Sequence, residues 1–314
     1  MSPRSSSIHA TQPEAPSFKK QVKGVARRHP LLYLLYNLRR LIKGHQIVFL
    51  DYPVTPEPRW GFGRPAHARL AELLGRNREA YRRTLASFLQ FAEHLVKIPQ
   101  QAAADSPEPC WVNKWLPALD AAASYCFLGL NQPKHYVEVG SGYSTKFARR
   151  AVRDLGLATK ITSIDPHPRA EVDALCDAVL RQPLQDLTDT AVFDQLEAGD
   201  ILFIDCSHVC LTNSDVAVAF LEVVPRLQPG VLVQVHDILL PYDYPPQWGE
   251  RYYSEQYLLA FSLLEGSTRF EIVLPNAYVS GDPELNKVLE PLWSHPNMAG
   301  VDGGGGMSFW LRTK

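Results

Sequence analysis

HYVEVGSGYSTKFARRA, residues 135–151, joins a short apolar run to a glycine-rich turn and then to a helix. Tyr136, Val137 and Val139 favour a strand, because aromatic and β-branched side chains fit a pleated surface. Gly140-Ser141-Gly142 ends that strand, since glycine adopts backbone conformations closed to other residues. Beyond it, Phe147, Ala148, Ala151, Val152 and Leu155 recur at helical spacing and predict a helix over 144–155. A strand running through glycines into a helix is the ligand-binding unit of open α/β sheets.

The pattern repeats on the C-terminal side. KITSID (160–165), DILFID (200–205), VLVQVHD (231–237), FEIVLP (270–275) and MSFWLR (307–312) read as further strands. Helices are predicted over 169–180, 213–227 and 253–264, and WVNKWLPALDAAASYCFLGL (111–130) reads as an apolar helix. Apolar strands alternating with helices predict an α/β fold. The expectation is a Rossmann-like, mostly parallel seven-stranded sheet with helices on both faces. The last two strands read as having no helix between them and as the antiparallel pair of a mixed sheet.

The chain has 314 residues, 46% hydrophobic and 21% charged, which excludes wholesale disorder and a coiled-coil architecture. Its net charge of −1 hides an asymmetry: residues 1–105 hold 17 Lys/Arg against 7 Asp/Glu, and residues 106–314 hold 15 against 26. Two regions with different roles are expected. Residues 1–18 read as a disordered tail, 19–105 as a mainly helical extension and 106–314 as the α/β domain. The extension has three readings: a lid, a dimer contact or a surface contact. Residues 19–43 contain eight Lys/Arg and no acid, with Leu31, Leu34, Leu35, Leu38 and Leu41 at helical spacing. Such a basic amphipathic helix packs on the body, meets a membrane surface or binds an anionic substrate. Residues 51–66 read as an irregular Pro- and Gly-rich loop, 67–97 as one or two helices and 98–109 as a linker. No run approaches the ~20 apolar residues of a membrane span. Five cysteines without a CxxC pair, and no apolar leader, point to a reducing compartment and a cytoplasmic location. The sequence pI of 6.8 and the lack of a basic-aromatic platform argue against nucleic acid as a partner.

Four predicted strand ends carry polar residues: Glu138 to Gly142, Asp165, Asp205 and His236-Asp237. The third glycine of a dinucleotide fingerprint would fall at Thr145, which disfavours NAD. Glu138, two residues before the first glycine, suits a cationic ligand better than a phosphate. Asp165 stands where an acid accepts hydrogen bonds from ribose hydroxyls. A nucleoside with a positive centre fits, and S-adenosyl-L-methionine (SAM) is one.

VEVGSGYSTKFARRA, ITSIDPHP, GDILFIDCSHV, LQPGVLVQVHDI and RYYSEQYLLAF together resemble the class I SAM-dependent methyltransferases, and most nearly methyltransferase family 24. The resemblance spans roughly residues 110–314. It implies that Gly140, Ser141 and Gly142 face the methionine part of SAM with Glu138 beneath. It implies further contacts from Tyr143 and Ser144, ribose hydroxyls on Asp165, and adenine beside Gln185 and Asp186.

Asp205 and Asp237 end neighbouring strands, where two carboxylates can hold a divalent cation that orients an acceptor hydroxyl. The related catechol-type O-methyltransferases place metal-binding acids at these ends and follow the second with Asn; here Ile238 stands there. His208 and His236 are candidate replacements, and the set Asp205, His208, His236, Asp237 would suit Mg, Mn or Fe. His208 is otherwise a general base paired with Asp205, or a structural histidine. Tyr242, Trp248, Arg251 and Tyr252, in the aromatic segment after Asp237, are candidate contacts for a small-molecule acceptor. The leading expectation is O-methylation, with N-methylation next. An Fe- or Mn-dependent oxidative enzyme on the same fold and a membrane-surface binding module are the alternatives.

Overall fold

The four buried residues Tyr136–Val139 explain the position of the first strand. In β1 (His135–Val139) every residue but the first is buried, so hydrophobic burial holds it at the sheet centre. The computed structural model describes residues 54–103, 105–168 and 171–314, with single positions between 29 and 52. The expected tail 1–18 and most of the basic segment 19–43 lie outside the described residues. The chain divides into two units, Met1–Pro56 and Glu57–Lys314. In the first, Leu31, Leu34, Leu35, Leu38, Leu41 and Ile42 are helical and exposed.

The second unit is built on seven strands. They are β1, β2 (Lys160–Ile164), β3 (Ala178–Leu180), β4 (Ile201–Ile204), β5 (Leu232–Val235), β6 (Phe270–Pro275) and β7 (Phe309–Thr313), in the order β3-β2-β1-β4-β5-β7-β6. The first five are parallel, and β7 runs antiparallel to both β5 and β6. The α/β, mostly parallel seven-stranded expectation is thus met. Two local readings are corrected. Residues 169–180, read as helical, contain the edge strand β3, and Asp173–Leu175 make only one 3₁₀ turn. Between β6 and β7 lie several short helical pieces, including Asn276–Gly281 and Glu290–Trp293, where none was expected.

Five longer helices surround the sheet: α1 (Ala68–Gly75), α2 (Arg78–Phe88), α3 (Ala118–Asn131), α4 (Tyr143–Asp154) and α5 (Glu255–Leu264). Helix α3 is buried from Ala118 to Leu128, which its run of alanines permits, because small side chains let it lie close against its neighbours. Helices α1 and α2 share the same core. Leu74, Tyr81, Leu85 and Phe88 are fully buried, and Phe88 meets Phe127 edge-on with ring centroids 5.2 Å apart. Burying such side chains contributes ~1.5–3 kcal/mol each.

The sheet registers carry the consequence for function. Val139 pairs with Ile164 and Ile204, and Ile204 with Val235. The residues after those four therefore emerge side by side along one edge. Strand order reverses between β1 and β4, the place where open α/β sheets open a crevice for ligands.

Candidate active site

Gly140 is the hinge of the site. Its φ is +86°, and a Cβ there would stand 1.8 Å from the Asp205 carbonyl oxygen. The β1 turn and the β4 end therefore touch through bare backbone. Ser141 N–H donates to Asp165 Oδ2 at 2.8 Å, and His167 N–H to Asp165 Oδ1 at 2.7 Å. These bonds bring the β2 end against the same turn. Gly142 N–H donates to Thr145 Oγ1 at 3.1 Å, a side-chain cap on the first turn of α4.

Glu138 is fully buried under this turn. Burial pushes its carboxyl up to about 7, against hydrogen bonds from Thr145, Ser141, Ser144 and Tyr136. Glu138 braces the turn from below.

Above the turn lies a cavity of about 350 Å³, whose lining includes Gly140, Ser141, Asp165, Gln185, Asp205 and Asp215. Of the residues expected at a cofactor, Gly140, Ser141 and Asp165 line it. Gly142, Tyr143 and Ser144 belong to the α4 start behind it. On the far side the lining residue is Gln185, with Asp186 next in the chain. Gln185 Oε1 is buried without a hydrogen-bond partner, so a ligand amine would satisfy it.

At the β4 and β5 ends the structure gathers acids and imidazoles. Ligand atoms of Asp205, His208 and Asp237 lie within 4.8 Å of one another. His208 Nε2 is 3.2 Å from Asp205 Oδ1 and 3.5 Å from Asp237 Oδ2. Both His208 and Asp237 adopt left-handed backbone, with φ +64° and +56°, which for non-glycine residues costs ~1–3 kcal/mol and clusters at functional sites.

His236 approaches the same two carboxylates, Asp205 and Asp237, from the α3 side, its Nδ1 3.5 Å from Asp237 Oδ1. Its Nε2 is 3.3 Å from Asp120 Oδ2 and its Nδ1 3.3 Å from Asp205 Oδ1, so it bridges the base of α3 to the site. Burial opposes charge on both imidazoles, but the surrounding carboxylates prevail and hold both well above the ordinary histidine range. The same imidazoles outweigh burial at Asp205 and keep its carboxyl low. Burial pushes the Glu255 carboxyl up to about 7, so the cluster's negative charge rests on Asp120, Asp205 and Asp237, a set that suits a divalent cation.

The aromatic segment after β5 divides. Arg251 stacks over Trp248 at 4.4 Å and over Tyr253 at 5.4 Å, and the Tyr253 ring lies 4.4 Å from the His208 ring. Trp248 and Arg251 thus pack on Tyr253, which separates them from the His208 ring. Tyr252 is about half exposed at the segment's end. Tyr242 turns elsewhere: it lines a separate cavity of about 180 Å³ with Trp60, His67 and Gln256. Two residues of the cluster escaped sequence reasoning. Asp120 is an acid in an apolar helix. Glu255, in the aromatic segment after β5, is hydrogen-bonded through Oε1 to His208 Nδ1.

Residues 137–238 match the family model of a methyltransferase domain, a span from β1 to just past Asp237. No curated protein sequence matches the chain. Solved structures similar to it include the SAH-bound methyltransferase PaMTH1 of Podospora anserina, 13% identical over 86% of this chain and 99% of that one, with a TM-score of 0.37. The SAH-bound O-methyltransferase of Bacillus cereus is 14% identical over 74% and 90%, at 0.35. The SAM-bound O-methyltransferase TomG of Streptomyces achromogenes, involved in tomaymycin synthesis, is 15% identical over 79% and 97%, at 0.34. Likenesses this distant carry no argument here; the family match stands by itself over its own residues. Residues 137–238, about a third of the chain, thus match a methyltransferase domain and are similar to the class I SAM-dependent methyltransferases near family 24.

Proposed function

We propose that the chain moves the methyl group of SAM to an oxygen of a small-molecule acceptor, at a site built on Asp205, His208 and Asp237. The observation that carries this reading is the shared residue Asp205, which lines the strand-end cavity and belongs to the acid–imidazole cluster. Cofactor and acceptor would meet there. Asp165 keeps lone pairs for ribose hydroxyls, and Gln185 Oε1 has room for the adenine amine.

Methyl transfer is an in-line displacement: the acceptor oxygen bonds the methyl carbon, the carbon–sulfur bond breaks, and the acceptor's proton must leave. Alignment of two bound reactants supplies much of the rate, ~7–11 kcal/mol at best. Asp205, His208 and Asp237 offer two oxygens and one nitrogen to a divalent cation such as Mg, Mn or Fe. When bound, such a cation polarises the acceptor hydroxyl and lowers its pKa. Tyr253 stands between the His208 ring and Trp248 and Arg251. His208, already favoured in its charged form, is a poor proton acceptor in the absence of a cation.

A second reading keeps His208 as general base beside Asp205. It is favoured by the bond from Nδ1–H to Glu255, which leaves Nε2 as the reacting nitrogen. Chelation separates the two. Methylation of a hydroxylated acceptor panel that collapses in EDTA and returns with Mn²⁺ supports the cation site. Turnover that survives chelation and fails in His208→Ala supports the base. Oxidation of the acceptor by dioxygen with Fe²⁺, and no methyl transfer, would sink both and favour the oxidative alternative.

For residues 19–43 we propose peripheral contact with an anionic lipid surface. The segment is wholly basic in its charges, and its helical leucines are exposed. Co-sedimentation with phosphatidylserine vesicles, lost on replacing Leu34 and Leu38 by serine, is expected. Concentration-dependent self-association without lipid binding would instead mark a dimer contact. All five cysteines are free, which suits a cytoplasmic location.

A further inference from the structure

We infer that Glu255 is a positioning residue: it fixes the tautomer and direction of the His208 ring so that Nε2 faces Asp205 and Asp237. The inference deepens the cation-site reading and rests on it for its metal-binding arm. Glu255 is fully buried at the first residue of α5, where a carboxylate also gains from the helix N-terminus. Its Oε1 is hydrogen-bonded to His208 Nδ1, while Oε2 is buried with no partner; a carboxylate there takes the proton-bearing nitrogen as its donor. The carboxylate is thus committed to one imidazole rather than shared in a network.

The neighbouring residues clamp the same histidine. Ser254 N–H donates to the His208 carbonyl at 2.8 Å, and Cys210 N–H donates to Ser254 Oγ at 2.8 Å. Tyr253 covers the ring. Three consecutive residues, 253–255, therefore hold a side chain on a left-handed backbone 47 positions earlier in the chain. A carboxylate on the remote ring nitrogen sets which nitrogen stays free and makes it a better donor. The hydrogen bond of Nδ1 is the one to Glu255.

The test compares wild type, Glu255→Gln and Glu255→Leu in the full chain. Mn²⁺ affinity is measured by calorimetry, SAH affinity likewise, and the His208 ring by ¹H–¹⁵N correlation spectra in the absence of metal. Wild type should show a protected Nδ1–H resonance that His208→Asn removes. Glu255→Leu should lose that resonance and bind Mn²⁺ about 10–100-fold more weakly, with SAH affinity within about twofold. Glu255→Gln, whose amide oxygen still accepts from Nδ1–H, should recover both in part. An unchanged Nδ1–H resonance in Glu255→Leu with SAH binding intact overturns the inference. A wild type that binds no cation, yet shows the resonance and its loss, overturns the cation reading and leaves the positioning role in place.

Discussion

Gly140 and Asp237 show how single residues carry the account. A Cβ at position 140 would press on the Asp205 carbonyl from a backbone angle unfavourable to any side chain. Gly140→Ala is therefore expected to weaken SAH binding about 10-fold or more and to cost ~2–4 kcal/mol of stability, read by calorimetry and chemical denaturation. Asp237→Asn removes a ligand charge outside the cofactor cavity. It should weaken Mn²⁺ about 10-fold or more while leaving SAH affinity within about twofold; equal losses in both would mean a general collapse of the site. At this scale the sequence was legible where function sits at strand ends. Asp165, Asp205 and Asp237 follow apolar runs, so their place at the sheet edge could be read. Glu255 and Asp120 could not be, because their partners are 47 and 116 positions away in the chain. Only the folded sheet and α5 bring those pairs together.

Among elements, α2 and the β2–β3 edge make distinct predictions. Phe88 is fully buried between α2 and α3, and Phe88→Ala should cost ~3–5 kcal/mol in chemical denaturation. A residue of a detachable lid would cost far less. At the sheet edge, burial alone would raise the Asp177 carboxyl. Ile161 N–H, Lys160 and Arg149 outweigh it and lower it to about 2. A folded-state pKa below the unfolded value means the stabilisation is complete above about pH 4 and disappears as pH falls through 2. Asp177→Asn should therefore cost ~1–2 kcal/mol at pH 7, after allowance for its partial exposure, with the gap closing toward pH 2 in denaturation series. This edge is also where the elements were misread. Ala178–Leu180 is three residues long and half exposed, too short for the alternation that marks a strand. The pieces between β6 and β7 are broken by Pro283, Pro291 and Pro296, which hides helical periodicity.

The molecule as a whole joins a basic N-terminal region to an acidic C-terminal one whose strand ends carry the site. Composition showed that split, and the glycine turn with its following acids showed the cofactor class. The share of α1 and α2 in the sheet's own core was not visible, since amphipathic helices read alike whether they cover a domain or extend from it. The account stands or falls on SAM use. The direct measurement is calorimetric titration of SAH into the full chain, beside Asp165→Ala. Binding with a Kd on the order of micromolar, weakened about 10-fold or more in Asp165→Ala, is the predicted result. No heat with the folded wild-type chain, with or without Mn²⁺, would contradict it.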